Sequence, residues 1–200
     1  PDGWKQERAI AALRGEQIWC QMFSEPAAGS DLAALRTRAV QDPETGDWVL
    51  SGQKLWTSWA HHADYGVIVA RSDPAEAKHR GLTYFWVDMR AAGVSVRQIT
   101  LAAGDAHVNE VFFDEVRISD EQRLGPIGGG FGVAMETLII ERYSATDPAA
   151  NGPSIAKAIS DATRLTRNGR PMIEDGRVRE RISRNFATQA ALASIHRRAL

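Results

Sequence analysis

Cysteine is nearly absent from this chain. Cys20 is the only one in 200 residues, which excludes an internal disulfide framework and a cysteine-rich metal site. It lies in an apolar run and reads as a small buried hydrophobe. No stretch is long and apolar enough to span a bilayer as a helix. Net charge is nearly absent too, at -1, which argues against nucleic acid or an anionic membrane as the main partner. The start, Pro1-Asp2-Gly3-Trp4, carries no signal-peptide pattern and no initiator Met. The chain reads as cut from something longer, with a cytoplasmic, reducing setting as the expectation. The Gly-rich run Leu124-Gly125-Pro126-Ile127-Gly128-Gly129-Gly130 lacks the Lys-Ser/Thr of a phosphate loop, and reads as a connection between domains. No repeats or low-complexity tracts occur.

What is present is the composition of a globular protein, 44% hydrophobic and 24% charged, and enough length for one large or two small domains. Gln6–Leu13 has helical spacing and stops near Gly15. From Ile18 onward the period changes to two, or to short apolar runs. Strands are expected over 18–24, 35–40, 48–52, 65–70, 82–87, 93–99 and 108–113. A hairpin turn falls at Asp42-Pro43-Glu44-Thr45-Gly46-Asp47, and Arg71–Arg80 is a charged connection. This series predicts a β-barrel or sandwich. Phe131 then opens a long helix, interrupted at Asp147-Pro148. Helical pattern resumes over 154–167, turns at Asn168-Gly169-Arg170-Pro171, and continues over 178–200 with arginines on one side.

The densest stretch is Gln21–Asp31. A short apolar run ends at Ser24, and Glu25-Pro26 breaks it, because Pro26 fixes its own φ and biases Glu25 away from helix. Ala27-Ala28-Gly29-Ser30 follows with little side-chain bulk, so that backbone N–H groups and two hydroxyls can approach a flat or charged ligand. On composition alone an ordinary strand-to-turn junction explains it equally well. Further on, Trp56 and Ser58 are two apart on a strand pattern, which predicts an aromatic plane and a hydrogen-bond donor on one face. Core packing of Trp56 is the simpler alternative. Glu141 falls three residues after Leu138 and seven after Ala134, on the apolar stripe of its helix. Partial burial there would make its carboxylate a stronger base, whereas Arg142 points about a hundred degrees away around the helix. The plainer reading of Glu141 is an ion pair with an arginine from elsewhere. His61-His62 follow the strand and read as loop or surface residues; on extended backbone their side chains would face opposite sides and not chelate together.

Four of these stretches, in order, resemble the signatures of the acyl-CoA dehydrogenase family. They are Met22-Phe23-Ser24-Glu25-Pro26-Ala27-Ala28-Gly29-Ser30-Asp31, Gly52-Gln53-Lys54-Leu55-Trp56-Thr57-Ser58, Asn109-Glu110-Val111-Phe112-Phe113-Asp114-Glu115-Val116 and Leu138-Ile139-Ile140-Glu141-Arg142. The resemblance implies an α+β multi-domain chain: the end of an N-terminal helical domain (1–17), a β-barrel-like middle domain (18–122) and the first helices of an all-α bundle (123–200). It implies FAD as cofactor, approached by Gln21, Met22, Phe23, Ser24, Ser30, Trp56, Thr57 and Ser58, and an acyl-CoA substrate near Ser30 and Arg142. The implied reaction is α,β-dehydrogenation to a trans-2-enoyl-CoA, with Glu141 as base and the β-hydride passing to flavin N5. Family members place the base either on this helix or beyond the last residue of this sequence. An electron-transfer flavoprotein is the implied acceptor, and a homo- or hetero-oligomer (dimer or tetramer) the implied assembly. Two alternatives keep the fold: an oxidase or flavin monooxygenase, and a non-catalytic partner subunit. Two departures stand out. Ala27 replaces a frequent glycine, and the family's Arg-x-x-Phe-Gly motif is not cleanly present in Arg170–Glu180, so no pyrophosphate ligand is assigned there.

Overall fold

The computed structural model describes residues 2–145 and 154–199, so the helix interruption expected at Asp147-Pro148 lies outside the described residues. The chain divides into two compact units, Pro1–Met135 and Glu136–Leu200.

In the first unit, helix α1 (Asp2–Leu13) ends at Gly15, whose φ of +70° is the left-handed stop that glycine takes without strain. The Glu16 N–H closes back on the Ala11 carbonyl at 2.9 Å. Seven strands follow: β1 (Trp19–Met22), β2 (Arg38–Gln41), β3 (Trp48–Ser58), β4 (Tyr65–Arg71), β5 (Leu82–Asp88), β6 (Val94–Ile99) and β7 (Val108–Ile118). They form one sheet in the order β1-β4-β2-β3-β7-β6, with β5 also on β4. Along the edge of β4, β1 pairs in parallel (Trp19 opposite Tyr65, Met22 opposite Ile68) and then β2, by one parallel step, Arg38 opposite Arg71. The other pairings are antiparallel. This is the mixed, half-barrel sheet of the expected α+β class.

Period-two alternation explains which face is filled. Met22, Leu50, Ile68, Phe85, Val87, Val111 and Val116 are completely buried and pack with Cys20, Trp48 and Phe113 into one core. Each such side chain contributes about 1.5–3 kcal/mol on leaving water. Gly66 leaves room for this layer: a Cβ there would run into the Met22 methyl and lie 2.9 Å from the Cys20 sulfur. Cys20 is the buried hydrophobe its surroundings suggest, and burial pushes its thiol up to about 12.

Helix α2 (Gly130–Ala145) starts in the first unit, with Gly130 and Ala134 buried. In the second unit, helix α3 (Ile155–Arg164) is capped by Ser154, whose hydroxyl accepts from the Lys157 N–H. A two-residue hairpin, β8 (Thr166–Arg167) and β9 (Arg170–Pro171), turns on Asn168 and Gly169, both at positive φ. Helix α4 (Gly176–Ala199) follows. Among the described residues no helix is long and apolar enough to cross a membrane.

Candidate functional site

The turn after β1 is held by a buried carboxylate. Glu25 and Ala28 exchange backbone hydrogen bonds at 2.8 and 3.1 Å. The Glu25 carboxylate accepts the backbone N–H of Arg36 (2.6 Å) and of Thr37 (3.0 Å), and the Lys54 ammonium at 2.8 Å. Lys54 is fully buried and also donates to the carbonyls of Phe23 and Val69. Burial pushes the Lys54 ammonium below its ordinary value and Glu25 opposes that shift. Burial acts on Glu25 in the opposite sense, raising it. The Lys54 charge and the hydrogen bonds from Lys54, Thr37 and Arg36 outweigh that and hold it below the usual carboxylate value. The pair was not singled out from sequence. The signal was present: Lys54 occupies an inward position of a strand and Glu25 the residue before a proline, so two charges fall where apolar side chains belong.

This turn is fastened directly to β3. The Leu55 N–H donates to the Ser24 carbonyl at 2.8 Å, which sets Ser24 beside Trp56. At that point β3 slips register against β7: Lys54 stands opposite Val111 and Thr57 opposite Asn109. Three residues thus match two, a β-bulge. Trp56 absorbs it with φ at +62°. For a bulky L-residue this is a strained conformation, of order 1–3 kcal/mol, of the kind that collects at functional sites. Its indole remains 54% exposed. Ser58 is exposed and Thr57, between them, is buried. The Thr57 hydroxyl has no hydrogen-bond partner among the described residues, while its carbonyl accepts from the buried Asn109 amide at 2.8 Å.

The remaining expected flavin residues are placed as follows. Ser24 and Gln21 are half-buried. Met22 and Phe23 have their side chains in the interior, Phe23 edge-on to Tyr84, so only their backbones can reach a ligand. Ser30 is exposed, beside Gly29, at which an added Cβ would meet nothing. On α2, Glu141 and Arg142 are exposed, as are Ile139 and Ile140 before them. The partial burial expected for Glu141 is therefore not found in this chain: the helix is buried at its first turns and not at its later ones.

His61 and His62 lie in a turn, in line with the loop reading, but their side chains do not face opposite ways: the ring centroids are 4.1 Å apart. Trp59, at φ +61°, stacks on His62 and lies within 6.1 Å of the His61 ring. Among the described residues no group of three or more His, Cys, Asp or Glu is arranged to hold a metal ion. The arrangement as a whole offers an exposed aromatic plane, adjacent hydroxyls and a rigid main-chain edge, which suits a flat heteroaromatic ligand.

Residues 20–116 match the family model described as acyl-CoA dehydrogenase, middle domain. The acyl-CoA dehydrogenase FadE34 of Mycobacterium tuberculosis is 48% identical over 154 residues, which cover 76% of this chain and 21% of that protein. The solved structure of the Tcur3481-Tcur3483 steroid ACAD G363A variant superposes with a TM-score of 0.80 at 28% identity, over 99% of this chain and 50% of that one. The ChsE4-ChsE5 complex from Mycobacterium tuberculosis gives a TM-score of 0.74 at 30% identity, over 93% and 48%. The chain thus spans half or less of each of these relatives.

Proposed function

The chain belongs to the acyl-CoA dehydrogenase family, and from that premise we propose that its protein dehydrogenates an acyl-CoA thioester between the α and β carbons. The observation that carries this reading is Trp56: a strained, half-exposed indole at a bulge, pinned beside Ser24 by the Leu55–Ser24 hydrogen bond. The bulge leaves the Trp56 indole standing out of the sheet, where a flat ligand can stack on it.

The residues fit FAD. The indole of Trp56 offers a stacking surface, and the hydroxyls of Ser24 and Ser58 offer hydrogen bonds. Thr57 adds a buried hydroxyl with no partner among the described residues, and Gln21, Met22 and Phe23 add their main chain. FAD, when bound, supplies the acceptor for the β-hydride. The carboxylate of Glu141 takes the α-proton onto its oxygen. Arg142 and Ser30 contact the acyl-CoA. In this reading 18–122 is the flavin and acyl-CoA domain, 123–200 begins the helical domain, and 1–17 ends an N-terminal one. Electrons leave to an electron-transfer flavoprotein. The exposed apolar side chains Ile139, Ile140, Phe186 and Ile195 suit an interface within an oligomer.

Incubating the full-length protein with an artificial electron acceptor and acyl-CoAs, from short straight chains to steroid acyl groups, tests the activity. Products lighter by two hydrogens are expected. Failure with the whole series would refute the reading, and hydrogen peroxide matching product under air would turn it to the oxidase.

A further inference from the structure

Behind the bulge lies a polar chain that runs from β3 through β7 to the turn at His61. Asn109 is fully buried and stands opposite Thr57 in the ladder. Its amide nitrogen donates to the carbonyls of Thr57 (2.8 Å) and His107 (3.3 Å). The His107 carbonyl also accepts the Trp59 N–H at 2.7 Å. The segment 56–59 is thus tied at both ends: through Leu55 to Ser24, and through Asn109 and His107 to β7.

The two carbonyls fix the orientation of the amide. With its oxygen in place of its nitrogen, three oxygens would meet with no hydrogen between them. The Asn109 oxygen therefore points the other way, where it lies 3.0 Å from His61 Nδ1. That oxygen can only accept, so Nδ1 carries a hydrogen and neutral His61 keeps its lone pair at Nε2. The turn brings the ring there: the His62 N–H closes on the Trp59 carbonyl at 2.9 Å, and the chain folds back toward β7. Trp59 and His62 flank the His61 ring, with centroids 6.1 and 4.1 Å away.

The bulge needs such a hold. Three residues of β3 are set against two of β7, and a slip of one residue would relieve Trp56 while turning the side chains to the other face. The slip would also strand the buried Asn109 amide without its acceptors, which opposes it. We propose that Asn109 and His61 are positioning residues of the flavin site. Asn109 fixes the Thr57 carbonyl, and with it the bulge that presents Trp56 and Ser58; His61, as the Nδ1–H tautomer, fixes Asn109. The link to flavin rests on the FAD reading above; the hydrogen-bond chain does not. Thr57 fits this division: its carbonyl is taken by Asn109, and its hydroxyl, with no partner among the described residues, is left for the ligand.

Titrating FAD into the full-length protein stripped of flavin tests this. Asn109→Leu is expected to weaken FAD binding at least about tenfold, and His61→Ala about two- to tenfold. His61→Asn returns an N–H to the place of Nδ1 and is expected to bind FAD within about twofold of wild type. At saturating FAD the visible flavin band is expected to be displaced in Asn109→Leu and His61→Ala and restored in His61→Asn; a role in stability alone would leave it in place. Histidine nitrogen-15 spectra of the stripped protein, taken well above the ordinary imidazole value of about 6.5, are expected to show one ring protonated at Nδ1 that is missing from His61→Asn. Protonation of that ring at Nε2 instead would overturn the chain. Equal FAD affinity and an unmoved band in wild type, Asn109→Leu and His61→Ala would overturn the positioning role and leave the flavin reading standing. A wild type that takes up no FAD would overturn both.

Discussion

The Lys54 ammonium and the Glu25 carboxylate meet at 2.8 Å in the interior, each with less than a tenth of its surface exposed. Their contact joins the turn after β1 to the strand that carries Trp56. The pair is a positioning device: neither charge is open to a ligand, yet both ends of the candidate flavin site hang on it. Removing one partner leaves an uncompensated buried charge, whose cost is about 3–5 kcal/mol. Lys54→Met and Glu25→Ala are each expected to lose that much in urea unfolding. Glu25→Ala/Lys54→Met should lose clearly less than the sum of the single changes, and strict additivity would count against a direct coupling.

Acid should unfold the protein through the same contact. Glu25 has a folded-state value below its unfolded one, so its contribution is fully present above the ordinary carboxylate value near 4.5. It is lost as pH falls through the lowered folded value. Asp120 acts in the same sense. Arg123, and then the Trp48 indole N–H at 2.8 Å, hold its carboxyl down to about 2. The melting temperature is expected to fall steadily from pH 5 toward pH 2, and to fall less in Glu25→Gln. A flat profile over that window would contradict this.

Two glycines predict opposite tolerance. At Gly52, φ is +152° and a Cβ would sit 2.7 Å from the Thr37 backbone; Thr37 cannot retreat, because its N–H is bound to Glu25. Gly52→Ala is expected to cost about 2–3 kcal/mol. At Gly66 the nearest obstacle is the end of the Met22 side chain, which can change rotamer, so Gly66→Ala should cost less. Denaturant midpoints of the two variants decide the order.

Much of the fold is legible in the sequence because its strands are half-buried and alternate. Tyr65–Arg71 and Leu82–Asp88 follow from apolar, β-branched and aromatic runs, and Gly15 announces the end of α1. Long-range pairing is not legible. Nothing local to Trp19 indicates that it lies beside Tyr65 in parallel. The site was half legible: Ser24, Trp56 and Ser58 stand out by motif, but alternation alone does not disclose the bulge at Trp56, since a bulge is a disagreement between two strands distant in sequence. For the same reason the contact between the His61 and His62 rings is not legible, and the exposure of Glu141 reads as burial: helical periodicity gives a face and not what covers it.

The bulge itself carries a testable trade-off. Glycine takes positive φ without strain, and Trp56 leaves more than half of its surface exposed. Trp56→Gly is therefore expected to melt no lower than wild type, while the protein purifies with a markedly reduced flavin content. Full flavin retention in Trp56→Gly would remove Trp56 from the site.

The most direct measurement is an anaerobic titration of the full-length protein with acyl-CoA, following the visible flavin band in wild type and in Glu141→Gln. Bleaching in wild type, and bleaching at least about a hundredfold slower in Glu141→Gln, is the predicted result, since a positioned general base contributes a factor of that order or more. Equal bleaching rates in the two proteins would contradict the assignment of Glu141 as the base, and no bleaching in either would contradict the dehydrogenase itself.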